Sequence, residues 1–186
     1  MNGSSVQLLV TALIFSAATQ AVAKPSASDS GIGQQSQATP ATRSVFVIMD
    51  DIRYGQKSID VAPGETVRFI VKNEGALMHE FNIDTATSQL EHQREMAVLF
   101  KNGTLTPTGK AKSIVWREYF TAPSDMDPPR YPEVVEARHD DANAILVEPG
   151  TTKEFVWTFA DASSLNFACT LPGHYQAGMV GEFVMR

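Results

Sequence analysis

The chain has 186 residues, a formal net charge of −6 and 43% hydrophobic residues. This length suits one well-filled domain and is too short for two large ones, and the hydrophobic content is ordinary for a globular protein. The net negative charge argues against a nucleic-acid-binding surface, which requires a basic face. The single cysteine, Cys169, excludes an internal disulfide.

The N-terminus has the pattern of an export signal. Residues 6–18 form an uncharged apolar run that is short for a membrane-spanning helix, and Ala21-Val22-Ala23 supplies a small-x-small cleavage site. No Lys or Arg precedes the run, so an uncleaved membrane anchor is the alternative. We predict a cleaved signal peptide over residues 1–23.

A polar segment follows the predicted signal. Residues 24–42 are rich in Ser, Gln, Ala, Thr, Gly and Pro and hold almost no large apolar side chain. Such a composition buries too little surface to offset its ordering entropy. We therefore predict a flexible linker over residues 24–42 and a folded domain over residues 43–186.

The first part of this domain has sequence patterns that predict β-strands. Residues 44–49 are apolar and β-branched, and the Ala62-Pro63-Gly64 turn precedes an alternating run at residues 66–71. In the next strand His79 falls on the same face as Phe81, with Glu80 and Asn82 on the other face. This places His79 where a ligand at the end of a sandwich core is expected.

The pattern changes at about residues 85–141. Residues 88–101 are compatible with a helix that Ser88 caps and Asn102-Gly103 ends, and a proline-containing loop follows. We predict a partly helical insertion that packs on the sandwich.

Strand patterns return after the insertion. Residues 144–147, 153–159 and 179–185 are short and rich in β-branched or aromatic residues. With the earlier strands, about eight in all, they predict an all-β fold, namely an antiparallel Greek-key β-sandwich.

One loop near the C-terminus carries the chemistry. Cys169, His174 and Met179 follow one another with four residues between each pair. Thiolate, imidazole and thioether are soft donors that favour copper, and a blue-copper site needs a second imidazole, for which His79 is the candidate. Structural zinc sites usually contain more thiolates and no thioether.

The residues of this loop have two alternative interpretations. The first is a buried cysteine, a surface histidine and a core methionine, each common alone. The second is a thiol nucleophile activated by His174, but the predicted strand–loop–strand lacks the helix N-terminus typical of reactive thiols. That reading also leaves His79 and Met179 without a role.

Residues 75–81 and 169–179 resemble the cupredoxins of the plastocyanin/azurin group. More narrowly, the Met78-His79-Glu80-Phe81 start, residues 91–96 and residues 139–143 are similar to the CopI-like cupredoxins of bacterial copper-tolerance systems. The resemblance covers residues 43–186. It implies a type 1 copper and a periplasmic location. The copper ligands that the resemblance implies are His79, Cys169, His174 and Met179.

The insertion contains further donors. His92 and Met96 are i, i+4 on the predicted helix and share one face, so they are candidates for a second, weaker copper site. The alternative is that they serve packing or lie on the surface. Strand alternation turns Met78 away from the copper.

We expect a type 1 copper protein that acts in one-electron transfer, copper tolerance or both. The alternative is a chaperone or scavenger that binds Cu(I). The chain has four histidines, too few for the clustered copper ligands of an oxidase or a nitrite reductase, so we expect no enzyme activity and no catalytic residue. We expect a monomer whose partner is a redox protein or a copper-handling protein. We expect it to bind neither nucleic acid nor a small-molecule substrate.

Overall fold

The computed structural model describes residues 31–118, 130–136, 139–161 and 164–186. The predicted signal peptide, the first part of the predicted linker and the prolines at 123, 128 and 129 lie outside these ranges. Within them, no helix has both the length and the apolar character needed to cross a membrane.

The described residues are mainly β-strands. In chain order the elements are β1 (Gly33–Gln35), β2 (Arg43–Asp50), β3 (Arg53–Tyr54), β4 (Ser58–Val61), β5 (Thr66–Asn73), β6 (His79–Asp84), α1 (Ala86–Lys101), β7 (Leu105–Thr106), β8 (Gly109–Lys110), β9 (Lys112–Glu118), β10 (Arg130–Glu136), β11 (Ala144–Val147), β12 (Thr152–Phe159), β13 (Asn166–Ala168) and β14 (Val180–Met185).

Two five-stranded sheets form the sandwich. One has the order β1-β12-β5-β2-β3 and the other the order β11-β6-β13-β14-β4. The prediction of an all-β sandwich is confirmed, but the prediction of antiparallel pairing is wrong for two pairs, because β2 pairs parallel with β5 and β14 pairs parallel with β4. The chain passes from one sheet to the other between β4 and β5, which brings each strand beside a partner that runs in the same direction.

Aromatic side chains fill the space between the sheets. Phe69 on β5 and Phe81 on β6 have ring centroids 5.1 Å apart, and Phe159 on β12 and Phe183 on β14 are 4.9 Å apart. The alternation predicted for β5 is present, with Val67, Phe69 and Val71 fully buried. Burying side chains of this size stabilises the fold by about 1.5–3 kcal/mol each.

The predicted linker is ordered in its second half. Gly33–Gln35 forms the edge strand β1, which pairs antiparallel with β12. Ile32 is buried, and its carbonyl accepts a hydrogen bond from the indole N–H of Trp157 at 3.3 Å. The prediction of a flexible linker is therefore wrong here, because backbone hydrogen bonds and one apolar anchor suffice to hold a polar edge strand.

The insertion contains one helix and two strand pairs. Helix α1 begins at Ala86, and Thr85 is its N-cap, with its hydroxyl accepting from the amide of Ser88. The predicted cap at Ser88 is thus wrong by three residues, although the predicted end at Asn102 is correct. Strands β7 and β8 form a small hairpin, and β9 pairs with β10.

Candidate metal centre

The loop between β13 and β14 lies at one end of the sandwich, beside the start of β6. The amide of Cys169 donates to the carbonyl of Met179 at 3.1 Å, and the amide of Met179 donates to the carbonyl of His174 at 3.0 Å. The amide of His174 donates to the carbonyl of Leu171 at 3.0 Å. These bonds close the loop and hold His174 over the end of β13.

Three donor atoms converge at this end. The Nδ1 atoms of His79 and His174 are 3.3 Å apart, and Sγ of Cys169 lies 3.3 Å from Nδ1 of His174 and 3.9 Å from Nδ1 of His79. Three ligands about 2.0–2.3 Å from one ion, at 120° to one another, are separated by about 3.5–3.8 Å. The observed triangle therefore fits a trigonal metal ion with little rearrangement.

The fourth predicted ligand belongs to the same loop. Met179 is fully buried, and its backbone is bonded to both Cys169 and His174. Two segments of the chain, 90 residues apart in sequence, thus bring together His79, Cys169, His174 and Met179. The axial role of Met179 remains a prediction.

The protonation states suit a metal cation. Burial, helped by the neighbouring His174 imidazole and opposed by Asp51 and Asp50, lowers the pKa of His79 to about 4. Burial also lowers the pKa of His174. Both imidazoles are therefore neutral at pH 7 and have a lone pair to donate.

Cys169 needs a positive charge to ionise. Burial raises the pKa of the Cys169 thiol well above its usual range, and the negative charge of Glu80 raises it further. A cation bound within the triangle supplies the charge that stabilises the thiolate. The site is thus poorly suited to act as a free thiol nucleophile.

Glu80 is a residue of this site that the sequence did not reveal. Its backbone amide donates to Sγ of Cys169 at 3.3 Å. Its fully buried carboxylate accepts from both the amide and the hydroxyl of Thr170. Glu80 therefore positions the sulfur and the first turn of the loop together.

The turn before β6 is built by two further polar residues. Asp51 Oδ1 accepts from the amides of Ala76 and Leu77 at 2.8 and 3.1 Å. The buried amide of Asn73 donates to the carbonyl of Leu77 at 2.7 Å. A Cβ at Gly75 would lie 2.4 Å from Asp51 Oδ1, so glycine is needed where this turn approaches the carboxylate. These contacts fix the position from which His79 enters the site.

The outer nitrogen of His79 faces Asp51. Its Nε2 is buried without a hydrogen-bond partner, and Asp51 Oδ1 is 3.9 Å away. Asn82, on the same strand, accepts from the side chain of Gln89 at 3.3 Å. Metal-bound histidines usually donate their other N–H to a carboxylate or carbonyl, and Asp51 is the carboxylate placed nearest to this atom.

The residues suggested for a second site are separated into different environments. Nε2 of His92 lies 3.0 Å from Oε1 of Glu80, and its Nδ1 lies 3.4 Å from Glu95. Met96 is fully buried in the hydrophobic core, as is Met78. The structure gives His92 carboxylate neighbours, and it places His139 beside it with ring centroids 5.4 Å apart.

Comparison with known proteins agrees with these observations. Residues 42–186 match the family described as copper binding proteins, plastocyanin/azurin family. The chain is 44% identical over 179 residues to the copper-resistant cuproprotein CopI of Pseudomonas aeruginosa, with 96% of this chain and 94% of that protein covered. It is 34% identical over 159 residues to the protein of the same name in Rubrivivax gelatinosus, with 85% and 75% covered.

A solved structure with a similar fold is auracyanin B. It has a TM-score of 0.52 and 18% sequence identity, and the match covers 84% of this chain and 96% of that one. This likeness supports the sandwich fold. On the match over residues 42–186 and the identity to the CopI proteins, the chain belongs to the plastocyanin/azurin family of copper-binding proteins and is a CopI-like cupredoxin.

Proposed function

We propose that the chain is a periplasmic type 1 copper protein that acts in copper tolerance and exchanges single electrons. We propose His79, Cys169, His174 and Met179 as the copper ligands. The observation that carries this is the triangle of two imidazole Nδ1 atoms and the cysteine sulfur, with separations of 3.3–3.9 Å. The names of the two relatives support the copper-tolerance role.

The donor set supports redox chemistry at this position. A copper ion with two imidazoles, one thiolate and a weak thioether is stable in both oxidation states, so it can accept and release one electron. The protein holds these donors through backbone bonds and the buried Glu80 carboxylate. A site held in this way changes little when its charge changes.

The position of His174 supports exchange with a protein partner. His174 is only partly buried, and Pro172, Gly173, Gln176 and Ala177 around it are exposed. The rest of the triangle is fully buried. A redox or copper-handling protein that docks on this loop would approach the centre through the His174 edge.

Visible absorption of the exported domain tests the proposal. After addition of Cu²⁺ we expect an intense thiolate-to-copper band that bleaches with ascorbate and returns on reoxidation. The matched variant Cys169→Ser should lack the band and should fail to restore growth on copper in a strain deleted for the gene. Tight Cu⁺ binding without a reversible band would favour a chaperone or scavenger, and an intense band in Cys169→Ser would refute the ligand assignment.

The location has a separate test. We propose export through the signal peptide at residues 1–23, on the strength of the apolar run and the Ala21-Val22-Ala23 site. Mass spectrometry of the protein from a periplasmic extract should show a chain that begins at Lys24. Recovery of the full-length chain in the membrane fraction would indicate an uncleaved anchor instead.

A further inference from the structure

A second group of metal-binding side chains lies on the opposite side of β6 from the core. Glu80 comes from β6, His92 from α1, and His139 and Asp141 from the segment before β11. We call these four residues the insertion cluster. Three of them (Glu80, His92 and His139) place ligand atoms within 4.8 Å of one another.

Three separations within the insertion cluster are close to those expected around a single ion. Nε2 of His92 is 3.0 Å from Glu80 Oε1 and 3.7 Å from Asp141 Oδ2, and Nε2 of His139 is 3.1 Å from Asp141 Oδ2. Four nitrogen and oxygen ligands about 2.0–2.1 Å from a tetrahedral ion are about 3.3 Å apart. The observed values bracket this distance.

The side chains of the insertion cluster are more buried than those of ordinary surface ion pairs. The side chain of Glu80 is fully buried, and those of His92 and His139 are 11% and 6% exposed. Asp141 is at the rim, where a surface cleft lined by Glu95 and Asp140 reaches His139. The cleft gives an ion a route to donors that are otherwise enclosed.

We propose that the insertion cluster binds a second divalent transition-metal ion, distinct from the ion at Cys169. Two imidazoles and two carboxylates contain no sulfur, so this site favours a borderline divalent ion over Cu⁺. Among the first-row divalent ions Cu²⁺ binds such nitrogen and oxygen donors most tightly, followed by Zn²⁺ and Ni²⁺. In a copper-binding protein the occupant is therefore Cu²⁺, held without a thiolate and without intense colour.

His139 is the residue to change. Glu80 and His92 also support the Cys169 loop, because the Glu80 carboxylate bonds Thr170 and His92 bonds Glu80. Among the described residues His139 contacts Asp141 and His92, which lie outside that loop, so His139→Gln removes one donor and leaves the other centre in place. Glu91→Gln is the matched control, since it removes the charge of an exposed side chain that is next to His92 in sequence and outside the cluster.

Equilibrium dialysis of the mature protein against Cu²⁺ buffered by a weak chelator counts the ions, and electron paramagnetic resonance distinguishes them. We expect two Cu²⁺ per chain in wild type and in Glu91→Gln, one with the visible thiolate band and one colourless with imidazole nitrogen couplings. In His139→Gln the affinity for the colourless ion should fall about 10-fold or more. The intensity of the visible band should not change.

Two results would overturn the proposal: a wild-type protein that binds only the coloured ion, or a His139→Gln variant that retains the colourless ion at full affinity. Should His139→Gln lose the visible band, and so its fold, Asp141→Asn at the rim replaces it under the same two criteria. Because the coloured and the colourless ions are counted separately, failure here is distinct from failure of the type 1 assignment.

Discussion

Replacing Glu80 by Gln tests whether the buried carboxylate stabilises the end of the sandwich. Glu80 is fully buried and lies 3.0 Å from a His92 side chain that is 11% exposed. Removing one partner of a buried pair typically costs about 3–5 kcal/mol. A Gln can still accept one hydrogen bond, so we expect a loss of about 3 kcal/mol in the metal-free protein.

The shifted pKa of His92 leads to a similar magnitude. Burial lowers the pKa of His92, but the hydrogen bond and charge of Glu80 raise it by more, helped by Asp141 and Glu95, to about 9. Compared with an ordinary value of 6.5, this corresponds to about 3 kcal/mol. Because the folded-state pKa is raised, this stabilisation is complete below pH 6.5 and is lost as the pH rises through about 9.

Urea unfolding of the metal-free proteins at pH 6 and at pH 9.5 measures both effects. Glu95→Gln is the matched control, because Glu95 also contacts His92 but is 74% exposed, and it should cost at most about 1 kcal/mol. The penalty of Glu80→Gln relative to that control should be large at pH 6 and smaller at pH 9.5. A Glu80→Gln variant within 1 kcal/mol of Glu95→Gln at pH 6, with equal m-values, would refute the reasoning.

Three further changes test other parts of the structure. A Cβ at Gly181 would lie 2.1 Å from the buried ring of Phe167, so Gly181→Ala should cost about 1–3 kcal/mol in thermal unfolding, whereas Gly109→Ala, with open space around it, should be nearly neutral. Asp51→Ala leaves the amides of the turn before β6 without their acceptor, so copper should dissociate faster in a stopped-flow chelator assay; an unchanged rate would contradict a positioning role. Met179→Leu should keep the thiolate band but shift the reduction potential, as cyclic voltammetry would show, and an unchanged potential would argue against an axial thioether.

The sequence predicted most of the sandwich strands and three donors that the structure brings together, because strands and ligand-bearing loops have local patterns. Alternation at residues 66–71 identified β5, and the spacing of Cys169 and His174 identified the loop. Strand alternation placed Glu80 on the face opposite to His79, and one face of such a strand commonly meets water, so no local pattern indicated that Glu80 is buried. Helix α1 and its neighbours cover that face, so five of the six residues of β6 are buried.

The other differences arise from long-range pairing. Nothing in the composition of β1 distinguishes it from a linker, because it is held by backbone hydrogen bonds to β12. The two parallel strand pairs depend on which sheet each strand belongs to, and a short sequence pattern does not predict this. His139 lies beside His92 because the end of the insertion packs near α1, and this contact links residues that are far apart in sequence.

The insertion is not a detachable module. The backbone amide of Glu80 donates to the sulfur of Cys169, and its carboxylate is hydrogen-bonded to Thr170 and His92. In addition, Gln176 of the loop donates to Gln93 of α1 at 2.7 Å. A shortened protein without residues 85–141 would expose the outer face of β6 to water and leave the carboxylate without its imidazole. Engineers who trim this domain to a minimal cupredoxin would therefore have to redesign β6 as well, because the insertion and the loop from Cys169 to Met179 both pack against this strand.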